Sequence, residues 1–270
     1  MIAVLRLASF LAENARPVYV RIGAYLAERL GMPAELLPRV PVAERQRRLE
    51  AADFDVAFVC GLPYSQAHDR PDPPIELLCA PVLAGPRYGG RPVYFTDVVV
   101  RRDDPACDFG DLRGRAWAYN DAGSHSGYNV VRHHLLDLGE TRGYFGRVVE
   151  SGGHQRSIQL VLDGEVDAAG IDSGVLELER ARRPELASLI RTIGAIGPSP
   201  IPPVVAARGL QGALRARVRE LLLGMASDPE GRVVLTEGRL AGFVDVQDGD
   251  YDPIRAMARR AAAAGFLTVR

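Results

Sequence analysis

The sequence predicts an α/β protein of two lobes, each a mainly parallel sheet with helices on both faces, joined by two crossing strands. Three observations carry this. Short apolar segments alternate with amphipathic helical ones along most of the 270 residues, which is the pattern of parallel sheets covered by helices. At roughly 150 residues per domain, that length suits two lobes. Two turn-rich stretches, residues 85–92 and 194–203, interrupt the alternation and read as crossings between lobes. The lobes are then discontinuous: 1–88 with 200–270 form one, and 89–199 form the other.

Each element follows from local signals. Ile2 to Ser9 is a first strand. Asn14 can cap the following helix, Pro17 suits its first turn, and Gly31 ends it after Leu30. A strand over 34–40, a helix over 42–51 and the short apolar run Phe54 to Val59 complete a β-α-β-α-β series. A strand over Ile75 to Ala84 leads to the first crossing. Beyond it come strands at Tyr94 to Arg101 and Ala116 to Asn120, and a helix from Gly127 to Leu138 closed by Gly139. A second unit of the same kind runs from Tyr144 to Ile171, with a turn at Ser151 to His154. Four prolines within residues 194–203 disfavour anything but an extended crossing. The remainder reads as a strand at Val204 to Ala207 and two helices, 211–226 and 252–264, separated by loop.

Composition narrows the function. With 47% hydrophobic and 25% charged residues and a net charge of −1, the chain has the make-up of a globular protein and lacks the basic excess of a nucleic-acid binder. All 33 cationic side chains are Arg, a compositional bias rather than a recognition signal. Cys60, Cys79 and Cys107 are scattered, so neither a disulfide framework nor a zinc site is expected, and no cofactor or metal is called for. No apolar run approaches the ~20 residues of a membrane span. The N-terminus reads as a strand and lacks the features of an export signal. The expected location is therefore the cytoplasm if the chain is full length, or the periplasm if a signal has been removed.

Chemistry concentrates in two turns. Asn120 to Tyr128 lies between a strand and a helix, where Ser124, Ser126 and the backbone N–H groups of residues such as Gly127 converge on a helix N-terminus, the outline of an oxyanion site. One serine before a helix is ordinarily just its cap, but two hydroxyls exceed what one cap needs. Ser151 to Ser157 repeats the design and would bring His154 to the same anion. The segment Gly123 to Gly127 is not a hydrolase nucleophile elbow, because its centre is His125 rather than Ser. A triad of Ser126, His154 and Asp172 is a further alternative that no spacing demands. Tyr64 and Asp172 follow strands, at the carboxyl ends that border ligand crevices; Asp172 equally suits an N-cap. Tyr94, at the start of a strand, gains nothing from that rule. Two crossings with anion chemistry between them fit a receptor that closes on a hinge.

Taken together, Phe54 to Val59 with Tyr64, Tyr94 to Val100, Asp111 to Arg115, Ser124 to Tyr128, Ser151 to His154 and Gly164 to Asp172 resemble the phosphonate/phosphate/phosphite-type (PhnD-type) substrate-binding proteins of ABC transporters. The resemblance implies a periplasmic-binding-protein fold of type II, non-enzymatic capture of a small anion (phosphonate, phosphate or phosphite), and an ABC permease as partner. Carried over, Ser124 and Ser126 hold the anion, His154 donates to it, Tyr64 and Tyr94 line the pocket from either lobe, and Asp172 reads an organic or amino end. The family commonly has Thr where this chain has His125, which removes a hydroxyl and adds an imidazole. An enzyme on the same fold, either a Ser/His hydrolase or a relative of the thiamine-pyrimidine proteins, and a cytoplasmic ligand sensor are the alternatives.

Overall fold

The computed structural model describes residues 4–269; Ile2 and Ala3 of the expected first strand lie outside them. The described residues form two compact units, one from the N-terminal part through Val93 with Pro200–Tyr251, the other Tyr94–Ser199 with the segment from Asp252 onward.

The first unit holds β1 (Leu5–Ser9), α1 (Arg16–Leu30), β2 (Ala34–Leu36), α2 (Val42–Ala51), β3 (Val56–Phe58), α3 (Gly61–His68) and β4 (Ile75–Leu83). Pro17 sits in the first turn of α1, and Gly31, at φ 64°, caps its end in the left-handed region that glycine tolerates. The helix buries Val18, Ile22 and Leu26, spaced by four, against Leu5 and Leu7 of β1. β1 pairs in parallel with β2 and β3.

The second unit opens with β5 (Val93–Arg101) and continues through β6 (Ala116–Tyr119), a widened turn at His125–Asn129 that runs into α4 (Val130–Asp137), and β7 (Arg147–Glu150). Then come α5 (His154–Leu162), β8 (Ala168–Asp172), α6 (Ser173–Arg182), the short α7 (Leu186–Leu189) and β9 (Ile190–Pro200). Its sheet runs β7-β6-β8-β5-β9. β6 is parallel to β7 and β8, whereas β5 is antiparallel to β8. Its core gathers Val98, Val100, Leu112, Val131 and Leu135 around Trp117, which stacks on Phe145 at 4.9 Å.

The chain then returns to the first unit with β10 (Val204–Ala207), α8 (Gly212–Gly224), α9 (Pro229–Glu237) and β11 (Leu240–Val244). The six-stranded sheet there runs β11-β4-β10-β3-β1-β2, with β10 antiparallel to both of its neighbours and β11 antiparallel to β4. The loop expected after 226 is therefore structured. Asp228 accepts the Gly231 N–H at 2.9 Å and Pro229 follows it, a start signal for α9 that the sequence carried.

The proline-rich stretch after Gly194 is extended, as expected: it continues β9 to Pro200 at the edge of its sheet, where missing N–H donors are tolerated, and the chain changes unit after Ser199. Two further expectations change. Tyr64 lies inside α3 rather than in a turn. The last helix, α10 (Asp252–Ala263), belongs to the second unit rather than the first. Phe266 and Val269 enter that unit's core, and Tyr128 Oη donates to the Leu267 carbonyl at 2.8 Å. The chain thus passes between units three times, after Val93, Ser199 and Tyr251.

Candidate functional site

Strand direction in the second unit decides which residues meet. Because β7, β6 and β8 run parallel, their carboxyl ends share one edge of the sheet, and a helix starts from each. β5 runs the other way, with Thr96 opposite Asp172, so the start of β5 brings Tyr94 to this same edge. The carboxyl-end rule failed for Tyr94 because the sequence does not reveal that reversal.

After β6, Asp121 Oδ1 accepts the Gly123 N–H at 3.0 Å, and Ser124 Oγ caps the helix by accepting the Gly127 N–H at 3.2 Å. The first turn is π-helical, with Asn129 N–H donating five residues back to the Ser124 carbonyl at 3.1 Å. Such openings recur at functional sites. A Cβ at Gly127 would stand 1.9 Å from Asn120 Oδ1, so the corner closes only with glycine there.

The corner after β7 is laced to it. Ser151 N–H donates to the Tyr119 carbonyl at 2.8 Å and Gly152 N–H to the Asn120 carbonyl at 2.7 Å. His154 opens α5, and its Nε2 lies 3.0 Å from Ser126 Oγ, which is 3.3 Å from Ser124 Oγ. Thr96 Oγ1 steadies this arrangement by donating to the Ser126 carbonyl at 2.9 Å. Ser124, Ser126 and His154 are 4%, 4% and 6% exposed. Two hydroxyls and an imidazole therefore converge at the starts of two helices, whose first N–H groups have no intrahelical partners and whose dipoles favour an anion.

His125 stands between the two serines in sequence. Its ring is fully buried, with Nδ1 3.1 Å from Asn129 Nδ2 and Nε2 3.0 Å from Ser199 Oγ. Burial pushes the imidazole down to about 3. Both ring nitrogens thus have partners within the second unit. Tyr94, also buried, packs edge-on against it at 6.3 Å between ring centroids.

Asp172 takes the capping alternative. Its Oδ1 accepts the N–H groups of Gly174 at 2.8 Å and Val175 at 3.2 Å, starting α6. Burial, with Asp97 nearby, pushes this carboxyl up to about 7. Tyr64 belongs to the first unit, where it is buried and its hydroxyl donates to Asp248 Oδ1 at 2.8 Å. Thr96, Asn129 and Ser199 were missed; all three are long-range or turn-geometry partners without a motif of their own.

Residues 7–251 match the family described as the periplasmic substrate-binding protein of a phosphonate ABC transporter. The chain belongs to that family. Its members are periplasmic substrate-binding proteins. A curated relative, the phosphonates-binding periplasmic protein of Escherichia coli strain K12, is 22% identical over 91% of this chain and 72% of its own length. Among solved structures, the binding protein component of an ABC phosphonate transporter from Pseudomonas aeruginosa superposes with a TM-score of 0.84 at 18% identity, covering 98% of this chain and 89% of that one. PhnD1 from Prochlorococcus marinus, in complex with methylphosphonate, gives 0.83 at 16% identity, covering 96% and 98%. These likenesses establish the type II periplasmic-binding-protein fold. Among the described residues, no helix is long and apolar enough to cross a membrane.

Proposed function

We propose that this substrate-binding protein captures a small phosphonate or closely related phosphorus oxyanion at the Ser124–Ser126–His154 corner of its second unit. The observation that carries the reading is the linked series Ser124 Oγ, Ser126 Oγ and His154 Nε2, with steps of 3.3 and 3.0 Å, at the starts of two helices. When an anion docks, those groups exchange their bonds to one another for bonds to its oxygens. Each new bond is charge-assisted and therefore about twice as strong as a neutral one. Micromolar capture needs about 8 kcal/mol net, which several such bonds and the helix-start amides can supply. Donors without formal charge select by oxygen geometry and proton placement rather than by bulk charge.

Ser124, Ser126, the Gly127 region and His154 carry the anion in this proposal, and Tyr94 backs the corner through His125. Tyr64, whose hydroxyl donates to Asp248 Oδ1, and Asp172, whose Oδ1 starts α6, are assigned no contact to it. The partner is an ABC permease, and the working location is the periplasm. An export signal in the upstream coding sequence is expected and would set aside the cytoplasmic sensor.

Calorimetry with methylphosphonate, 2-aminoethylphosphonate, phosphite and phosphate tests the proposal. At least one is expected to bind at micromolar concentration or below, with Ser126→Ala and His154→Ala abolishing the heat while the melting temperature stays within a few degrees. No heat from any of the four, or variants that bind like the parent, would overturn it.

A further inference from the structure

We propose that His125 is a positioning residue for the anion corner, tying the Ser124–Ser126 turn to Ser199 through one fixed ring tautomer. The inference rests on the capture site proposed above and adds the device that holds it.

The tautomer follows from the neighbours of Asn129. Arg132 donates to Asn129 Oδ1 at 3.1 Å, so that oxygen is the acceptor end of the amide and the Nδ2 group is the donor end. Nδ2 carries two hydrogens and has two acceptors in place, the Ile254 carbonyl at 3.4 Å and His125 Nδ1 at 3.1 Å. His125 Nδ1 is therefore the lone-pair nitrogen. In a neutral ring the proton then sits on Nε2, which donates to Ser199 Oγ at 3.0 Å. Complete burial favours the neutral form.

The consequence is geometric. His125 lies between Ser124 and Ser126 in sequence, and its ring is held from one side by β9 through Ser199 and from the other by Asn129, whose amide also donates to the Ile254 carbonyl of α10. A turn anchored at its central residue holds both flanking hydroxyls in one orientation.

The test uses the intact protein with methylphosphonate as probe. Nitrogen-15 spectra of the histidine rings in the ligand-free protein are expected to give His125 as a neutral Nε2–H tautomer. Ser199→Ala removes the acceptor, and His125→Leu removes the ring's polarity; each is expected to weaken methylphosphonate binding roughly three- to tenfold, the worth of one lost hydrogen bond. His125→Gln, whose amide can still donate towards Ser199, recovers most of that loss, and a merely space-filling role would not distinguish Gln from Leu. Ser199→Ala also shifts the ring signals of His154, because Ser126 moves relative to it. An Nδ1–H or charged His125 ring at neutral pH, or unchanged affinity in Ser199→Ala, overturns the proposal. If the parent protein binds none of the four anions yet His125 has the expected tautomer and the His154 signals shift in Ser199→Ala, the capture reading fails and the brace stands. Unshifted His154 signals overturn the brace.

Discussion

Two corners on one edge of the same sheet differ mainly in the residue that caps the helix. After β6 the cap is Ser124, whose hydroxyl accepts a single N–H, from Gly127. After β8 it is Asp172, whose carboxyl oxygen accepts two, from Gly174 and Val175. The second corner supplies its own acid oxygen and has no need of an external one. The first ends in a hydroxyl linked to another hydroxyl and to an imidazole, groups that can all turn toward an incoming anion. On the proposed reading, cap chemistry decides which helix start is open to ligand.

The harshest way to break the contrast is Gly127→Ala. Its Cβ would fall 1.9 Å from Asn120 Oδ1 and 3.2 Å from the Asn120 backbone nitrogen, so the corner must shift. Overpacking of this kind costs about 1–3 kcal/mol. Urea unfolding should register that loss, and calorimetry should find no methylphosphonate binding.

Ser124→Asp makes the first corner like the second. The helix keeps a good cap, so melting should change by no more than a few degrees. A carboxylate placed beside the anion costs several kcal/mol of like-charge repulsion, so methylphosphonate affinity should fall at least about a hundredfold. Retained affinity would mean that the anion docks elsewhere.

Asp172→Asn gives the smallest effect and tests the second corner. The folded carboxyl holds its proton up to about 7, against an ordinary 3.8. Between those values the folded state binds more protons than the unfolded one. This group's contribution is therefore fully present below about 4 and is lost as pH rises through about 7. Urea unfolding across that range should reveal the decline in the parent protein and a flatter profile in Asp172→Asn, while anion affinity at neutral pH stays within about threefold. A steeper profile in the variant would remove Asp172 from this account.

The contrast was partly legible in the sequence. Alternating apolar and amphipathic segments marked most strands and helices, because period and turn chemistry are local. Ser124, Ser126 and His154 stood out for the same reason, each lying in a turn before a helix. What the sequence withheld was long-range. The reversal of β5, which brings Tyr94 and Thr96 to the site edge, leaves no trace in local pattern. Nor does the docking of α10 on α4, the bond from Tyr128 to the Leu267 carbonyl, or the bond between His125 and Ser199. The cap at Asp172 was readable, yet a carboxyl after a strand suits a ligand contact equally well until its acceptor oxygen is seen to be filled.

The most direct measurement is a crystal structure of the protein grown with methylphosphonate. The account predicts phosphonate oxygens within hydrogen-bond reach of Ser124 Oγ, Ser126 Oγ and His154 Nε2, with His125 still bonded to Ser199 and Asp172 still capping α6. A phosphonate bound away from the Ser124–His154 corner, with the Ser126–His154 bond intact, would contradict it.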